Sequence, residues 1–304
     1  MILRNLLLFL SRRPGLRRWL ETSSLARPLT SRFIAGRSLD EGVAVCRRLN
    51  ADGLLVTLDC LGENVHSPAE AKASRDAYLE AIHTIAKLDL QATISVKLTQ
   101  LGLDLSEELC REEIGALVSQ ASAVQRGVEV DMESARYVDK TLAIVRDLHA
   151  RHVAVRAVIQ AYLYRSKSDL ETLCREGVPV RLCKGAYREP ASVAFARKRQ
   201  VDENYLRLLR ILLETGNDPA IATHDPKMLE AAIAIVRERR LPPERFEFQM
   251  LYGIRRDLQQ RLAKEGFRLR LYVPYGGAWY PYFMRRLAER PANLLFLTRN
   301  LFRH

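Results

Sequence analysis

Eight short apolar runs, each followed by helix-length sequence, constrain this chain more than any other feature. They are "LLVTLD" (54–59), "TISVK" (93–97), "VEVD" (128–131), "VAVRAVIQ" (153–160), "VPVRLCK" (178–184), "AIATH" (220–224), "FEFQM" (246–250) and "FRLRLY" (267–272). Strands this short and this apolar are buried on both faces, and strands that alternate with helices build a parallel sheet. Eight β–α units are the number that closes a (β/α)8 barrel. An open doubly wound sheet more often places a glycine-rich turn after its first strand, and "LGEN" (61–64) is not one.

The segments between the strands carry helix signals. Ser38-Leu-Asp-Glu41 reads as a capping box that opens a helix to about Leu49. Ser67 followed by Pro68 opens the next, Ser106 caps a third, and a fourth runs over about 134–150. Ser168-Asp-Leu-Glu171 predicts a short helix, and residues 191–215 form a long amphipathic stretch. Asp225-Pro226 caps a helix ending near Arg240, and another covers about Arg255 to Lys264. No low-complexity linker divides residues 38–304, which therefore read as one barrel domain behind a basic helical segment, 1–37. In that segment Leu6, Leu7, Leu10, Leu16 and Leu20 are available for packing among arginines. The run Leu6 to Leu10 is too short to span a bilayer, and no small-residue cleavage site follows it. The segment either docks on its own domain or touches an anionic membrane surface peripherally.

Charge and cysteine usage narrow the function classes. Lys+Arg minus Asp+Glu is 48 − 36 = +12, which suits an anionic partner such as a membrane surface, nucleic acid or an acidic substrate. No helix-turn-helix and no aromatic-interleaved basic patch supports nucleic acid. Cys46, Cys60, Cys110, Cys174 and Cys183 are an odd set without a C-x-x-C pair, which predicts reduced cysteines in a cytoplasmic protein. The histidines show no H-E-x-x-H or comparable spacing, so no metal site is expected.

Chemistry in such barrels lies at the C-terminal strand ends. Those ends carry Asp59, Lys97, Asp131, Gln160, Lys184, His224, Gln249 and Tyr272, a polar group in every case. Arg156, Arg181, Arg268 and Arg270 lie within the predicted strands, where an arginine is costly unless paired or bound to an anion. Glu129, Glu133 and Glu247 are the available structural partners for Arg156, Arg268 and Arg270. Arg181 differs, because it opens "RLCKGAY" (181–187), where Gly185 lets the backbone approach a bulky ligand. Near the end, "YPYFMRRLAERPAN" (280–293) places Tyr282, Arg285, Arg286 and Glu289 on one helical face. Such a face binds an anion or meets water.

The motifs "SVKL" (95–98), "VEVDME" (128–133), "VIQAY" (158–162), "VRLCKGAY" (180–187), "ATHD" (222–225), "FEFQML" (246–251), "LYVPYG" (271–276) and "YFMRRLAE" (282–289) agree in order and spacing with one family. Over nearly all of residues 38–304 the chain resembles the proline dehydrogenases, and looks like a monofunctional bacterial member. The resemblance implies a distorted (β/α)8 TIM barrel with its last helix across the mouth. It implies FAD as cofactor and oxidation of L-proline to Δ1-pyrroline-5-carboxylate, with electrons passed on to a membrane quinone. A separate pyrroline-5-carboxylate dehydrogenase is an implied partner, and the location is the cytoplasm or the inner face of the membrane.

Residue roles follow from the same resemblance. Arg285 and Arg286, with Lys97, would hold the substrate carboxylate, while Glu289 and Asp131 balance their charge. Tyr272 and Tyr282 would wall the ring, and tyrosine at 272 is similar to members that prefer proline over hydroxyproline. Arg181 would lie near the reactive edge of the flavin, with Gln160 bonding the ring system. Met132, Lys184, Gly185, Ala186, Thr223 and His224 would complete the cofactor site. Asp131 would orient Arg181 or Lys97, or face the substrate nitrogen. Cys183, Asp225 and "YREP" (187–190) depart from the family's commoner residues, and none removes an essential charge. The alternatives are a flavoenzyme acting on another cyclic or N-alkylated amino acid, and a basic binding protein built on an inactive barrel.

Overall fold

The computed structural model describes residues 30–62 and 64–289. The leucine-bearing part of the basic segment lies outside the described residues. At Ser38, Ser67 and Ser106 the capping side chain offered by the sequence opens a helix. Ser38 Oγ accepts from Glu41 N at 3.3 Å while Glu41 Oε2 accepts from Ser38 N at 3.2 Å, opening α1 (Leu39–Ala51). Ser67 caps α2 (Pro68–Lys87) and Ser106 caps α3 (Glu107–Ala123). They are followed by α4 (Val138–Arg151), α5 (Ser166–Arg175), α6 (Lys198–Thr215), α7 (Pro226–Glu238), α8 (Arg256–Lys264) and α9 (Trp279–Glu289).

The strands between them are β1 (Leu55–Cys60), β2 (Ala92–Val96), β3 (Val128–Val130), β4 (Val155–Gln160), β5 (Val180–Cys183), β6 (Ala220–Ala222), β7 (Glu247–Leu251) and β8 (Leu269–Tyr275). Each pairs in parallel with its sequence neighbours, and β8 pairs with β1 to close the barrel. The expected (β/α)8 architecture is the one observed.

Three boundaries differ from the sequence reading. Ser168 is not a cap: α5 starts at Ser166, and the Ser168 hydroxyl donates back to Arg165 O at 2.8 Å from within the first turn. Only the second part of the 191–215 stretch is helical. Upstream of Lys198 the chain makes a turn on Pro190 O and an antiparallel bridge, Leu163 to Ala194. β8 runs past Tyr272 through Pro274. Its pairing with β7 ends at Tyr272, whereas pairing with β1 continues to Tyr275. Pro274 faces the side on which β7 has already stopped, so its missing N–H leaves no ladder bond unmade. Its carbonyl accepts from Ala35 N at 2.9 Å.

The distortion of the barrel has a visible cause. α1 packs on β1 and β8, filling the flank where a helix following β8 would ordinarily lie. α9 crosses the mouth instead, and its Tyr282 and Arg286 line the cavity there. Trp279, Tyr280, Phe283 and Met284 bury their side chains against Phe33, Ile34, Leu61 and Ile254, a second apolar cluster apart from the main core. That cluster anchors the helix over the opening.

Alternation along the strands separates two interiors. Val56, Leu58, Ile94, Val96, Val128 and Val130 face the helices and are fully or almost fully buried in the main core. The residues between them point into the barrel, where layers of branched aliphatics are usual. Here those positions hold Thr57, Thr93, Glu129, Arg156, Arg181, Glu247 and Arg270. Glu247 accepts from Arg156 at 2.6 Å and from Arg270 at 2.8 and 3.0 Å, with Arg268 at 3.5 Å. Glu129 takes Arg181 directly, Thr57 Oγ1 at 2.8 Å and Thr93 Oγ1 at 3.0 Å. The pairing expected for Arg156, Arg268 and Arg270 is present through Glu247 and Glu129. Asp218, which the sequence reading did not name, pairs with Arg156 and Arg268 as well. Glu133 accepts from the backbone and hydroxyl of Thr99 on the turn after β2.

Candidate active site

A cavity of about 610 Å³ opens at the C-terminal strand ends, within the usual range for small-molecule sites. Asp59, Lys97, Asp131, Gln160, Lys184, His224, Gln249 and Tyr272 all border it, so the polar strand ends do converge on one site. Of the sequence-selected site residues, Met132, Arg181, Gly185, Ala186, Thr223, Tyr282 and Arg286 also line it. Arg285 belongs to α9, but the side chains of Arg285 and Glu289 lie outside what is described.

One half of the cavity is built from β1, β2, β3, β8 and α9. Asp131 sits at its centre. Its Oδ1 accepts from Arg181 at 2.6 Å and from Ser95 Oγ at 2.8 Å; its Oδ2 accepts from Tyr272 at 2.7 Å, with Lys97 at 3.4 Å. Asp131 thus touches both Arg181 and Lys97. Burial pushes its carboxyl up, but Lys97, Arg181 and the two hydroxyl donors outweigh that and hold it below the ordinary value. Lys97 also reaches Asp59 at 3.3 Å. The Arg181 guanidinium lies 5.4 Å from the Tyr272 ring centre, and that of Arg286 lies 5.1 Å from the Tyr282 ring centre. The arginine face of α9 thus includes a cation held on an aromatic ring at the edge of the cavity, not one turned to bulk water.

The other half comes from β4, β5 and β6. Gln160 Nε2 donates to Glu133 O at 2.8 Å, fixing the amide with its side chain on the cavity wall. Lys184 is tied by Asp225 at 2.7 Å and by Asp202. Asp225 also caps α7 through Lys227 N at 3.1 Å. His224 Nε2 accepts from Leu251 N at 2.8 Å, so that nitrogen carries no proton and Nδ1 is the donor. Between the halves Arg181 is 6% exposed. Its Nε has no hydrogen-bond partner although both terminal nitrogens are paired. Arg156 lies deeper, outside the residues that line the cavity. The electrostatics of the barrel and of the cavity therefore meet at Arg181.

Gly185 has φ +100°, and a Cβ there would lie 2.2 Å from Tyr162 Cδ1. Both the backbone angle and the ring forbid a side chain. Gly185→Ala is expected to destabilise the fold by about 1–3 kcal/mol and to push the Tyr162 ring aside. Thermal unfolding checks the first expectation. Tyr162 emission or a crystal structure checks the second.

Sequence reasoning assigned no role to Asp59, Gln249, Ser95 or Asp202. Asp59 and Gln249 were legible as polar strand ends, and Ser95 as an inward position two residues before Lys97. Asp202 lies on α6, far from any strand, and only the fold brings it to Lys184.

Comparison with known proteins identifies the family. Residues 43–299 match the family model described as proline dehydrogenase. The chain is 42% identical over 302 residues to Proline dehydrogenase 1 of Bacillus subtilis subsp. natto, covering 99% of this chain and 100% of that one. It is 38% identical over 282 residues to Proline dehydrogenase of Deinococcus radiodurans, with 90% of each covered. Among solved structures, proline utilization A from Bdellovibrio bacteriovorus superposes with a TM-score of 0.83 at 26% identity. That match covers 95% of this chain but only 36% of the larger protein. A family model that matches residues 43–299 and relatives that align over nearly the whole chain agree: the chain belongs to the proline dehydrogenase family.

Proposed function

We propose that this chain oxidises L-proline to Δ1-pyrroline-5-carboxylate, with FAD held in the cavity between Arg181 and the β4–β6 strand ends. The observation that carries the reading is the division of the cavity. A cationic, tyrosine-walled end formed by Lys97, Arg286, Tyr272 and Tyr282 faces a polar end formed by Gln160, Lys184, Thr223 and His224.

The residues present fit the cofactor. Arg181 keeps a buried Nε unpartnered beside the cavity, and Gly185 offers bare backbone on its wall. Gln160, Thr223, His224 and Lys184 supply donors and acceptors for a ring system and phosphates. Bound FAD supplies the two-electron acceptor that no side chain provides. Arg181, held in place by Glu129 and Asp131, would offer the cofactor a fixed positive charge on the cavity wall. Lys97, Arg285 and Arg286 fix the substrate carboxylate by charge-assisted bonds, each contributing about 1.5–3 kcal/mol. Tyr272 and Tyr282 enclose the ring and exclude water. Tyr272, braced on Asp131, narrows the site against hydroxyproline.

Electrons then leave for a membrane quinone, and the product passes to a separate pyrroline-5-carboxylate dehydrogenase. Among the described residues no helix is long and apolar enough to cross a membrane. An anaerobic visible spectrum before and after L-proline tests the reading. Flavin bands that bleach with L-proline, and much less with hydroxyproline or D-proline, are expected. Bands unchanged by L-proline would remove the substrate assignment, and a protein that takes up no FAD would remove the cofactor.

A further inference from the structure

Asp59 ends β1 inside the cavity and has no part in the roles described so far. It is 1% exposed. Its Oδ1 meets Lys97 Nζ at 3.3 Å, while Oδ2 is buried without any hydrogen-bond partner. A carboxylate oxygen so placed is rare enough in folded proteins to require a reason. The neighbouring carboxylate shows the contrast. Asp131 lies on the same ammonium at 3.4 Å, yet both of its oxygens are occupied, by Arg181, Ser95 and Tyr272. One lysine therefore bridges a saturated carboxylate and a half-empty one.

We propose that Asp59 is the acceptor of the proton that the substrate's ring ammonium must lose, with Lys97 carrying it between them. The inference rests on proline oxidation as the reaction of this cavity. Oxidation of a C–N bond proceeds from the neutral amine, and proline enters as a secondary ammonium. Lys97 gives one proton to Asp59 along the existing contact: an N–H bond breaks and an O–H bond forms. The neutral lysine then takes one proton from the ring nitrogen. In sum the ammonium becomes an amine, the Asp59 carboxylate becomes a carboxylic acid, and Lys97 is unchanged.

The surroundings favour this direction. Burial, reinforced by the like charge of Asp131, raises the Asp59 carboxyl above its ordinary value against the pull of Lys97 and of the nearby Tyr272 hydroxyl, whose hydrogen bond goes to Asp131. Asp131 is shifted the other way. Carboxylates driven apart by their environments are the usual mark of an acid–base assignment. Lys97 faces Asp59 from β2, Asp131 from β3, Tyr272 and Tyr275 from β8, and Tyr78 from α2, with Cys60 adjacent. Burial raises the three tyrosines and Cys60, which stay neutral. From α9, Arg286 lines the same cavity.

Asp59→Asn keeps the size of the side chain and an oxygen for Lys97. In anaerobic bleaching of the flavin-loaded enzyme by L-proline, it is expected to lower the rate at neutral pH about a hundredfold, typical for loss of a general base. Its rate should climb steadily with pH and come within about tenfold of wild type where proline is already a free amine. The wild-type acid limb, which reports ionisation of Asp59, should be absent. Calorimetric binding of tetrahydrofuran-2-carboxylate, which has no amine, to the same variant should stay within about threefold of wild type, since no proton is exchanged. A constant rate ratio across pH, or loss of analogue binding, would show that Asp59 merely positions Lys97 and would overturn the inference alone. A wild type that L-proline does not bleach would overturn it together with the proline reading.

Discussion

Glu247→Ala is expected to lower the folding stability of this protein by about 3–5 kcal/mol, the usual penalty for removing one partner of a buried ion pair. Glu247 is fully buried and is the shared acceptor for Arg156, Arg270, Arg268 and the Gln249 amide. Without it, Arg156 keeps Asp218 and a 3.8 Å approach to Glu129, and Arg270 keeps Val56 O and a 3.9 Å approach to Glu129. Neither guanidinium can leave, because the barrel wall surrounds both. Glu265→Ala is the control. It removes the exposed pairs with Arg261 and Arg237 and should cost under about 1 kcal/mol. Urea unfolding of the two variants separates the cases, and equal midpoints would refute a structural role for the interior network.

The same network sets the acid limit of the fold. Burial raises the carboxyl of Glu129, but Arg181, Arg156 and Arg270 outweigh it and bring it down to about 2. Glu247 is lowered as well, with Arg270 and Arg156 prevailing over its burial. A carboxyl depressed in the folded state contributes stability above its unfolded pKa, about 4.3 for glutamate, and that contribution fades as pH falls through the folded value. Wild-type stability should therefore decline between about pH 4 and pH 2. In Glu247→Ala the decline should be shallower, because one of the depressed carboxyls is gone.

How much of this was legible in the sequence depended on whether the signal was local. The strands and most helix starts were, because apolar runs and Ser or Asp caps act over a few residues. Ser168 misled for the same reason: Ser-x-x-Glu marks a helix start only when its hydroxyl turns to the third N–H, and here it turns to Arg165. The convergence of strand ends followed from the parallel barrel. Partner choice did not. Arg181 could be singled out from Gly185 and the motif around it, but its bonds to Glu129 and Asp131 span 52 and 50 residues. The orphaned oxygen of Asp59 is still further from view, since a missing partner leaves no trace in composition or spacing.

Arg181→Met is the variant with the largest expected effect on chemistry. It should lower the rate of proline-dependent flavin bleaching by about 10²–10³, the range seen when one fixed electrostatic group is removed from an active site. It should also destabilise the fold, though less than Glu247→Ala. Glu129 retains Thr57, Thr93 and Gln249, and Asp131 retains Lys97, Ser95 and Tyr272. The pH dependence distinguishes the two contributions. Losing Arg181 lets the Glu129 and Asp131 carboxyls rise, so the stability gap to wild type should be widest near neutrality. It should narrow as pH falls through about 4 to about 2, where wild type loses its own benefit. Arg181→Met combined with Glu129→Gln separates structure from catalysis. Removing the stranded charge should recover much of the stability while leaving bleaching as slow as in the single variant, because the positive charge beside the cofactor is still absent. Recovery of both would mean that Arg181 serves only to neutralise Glu129.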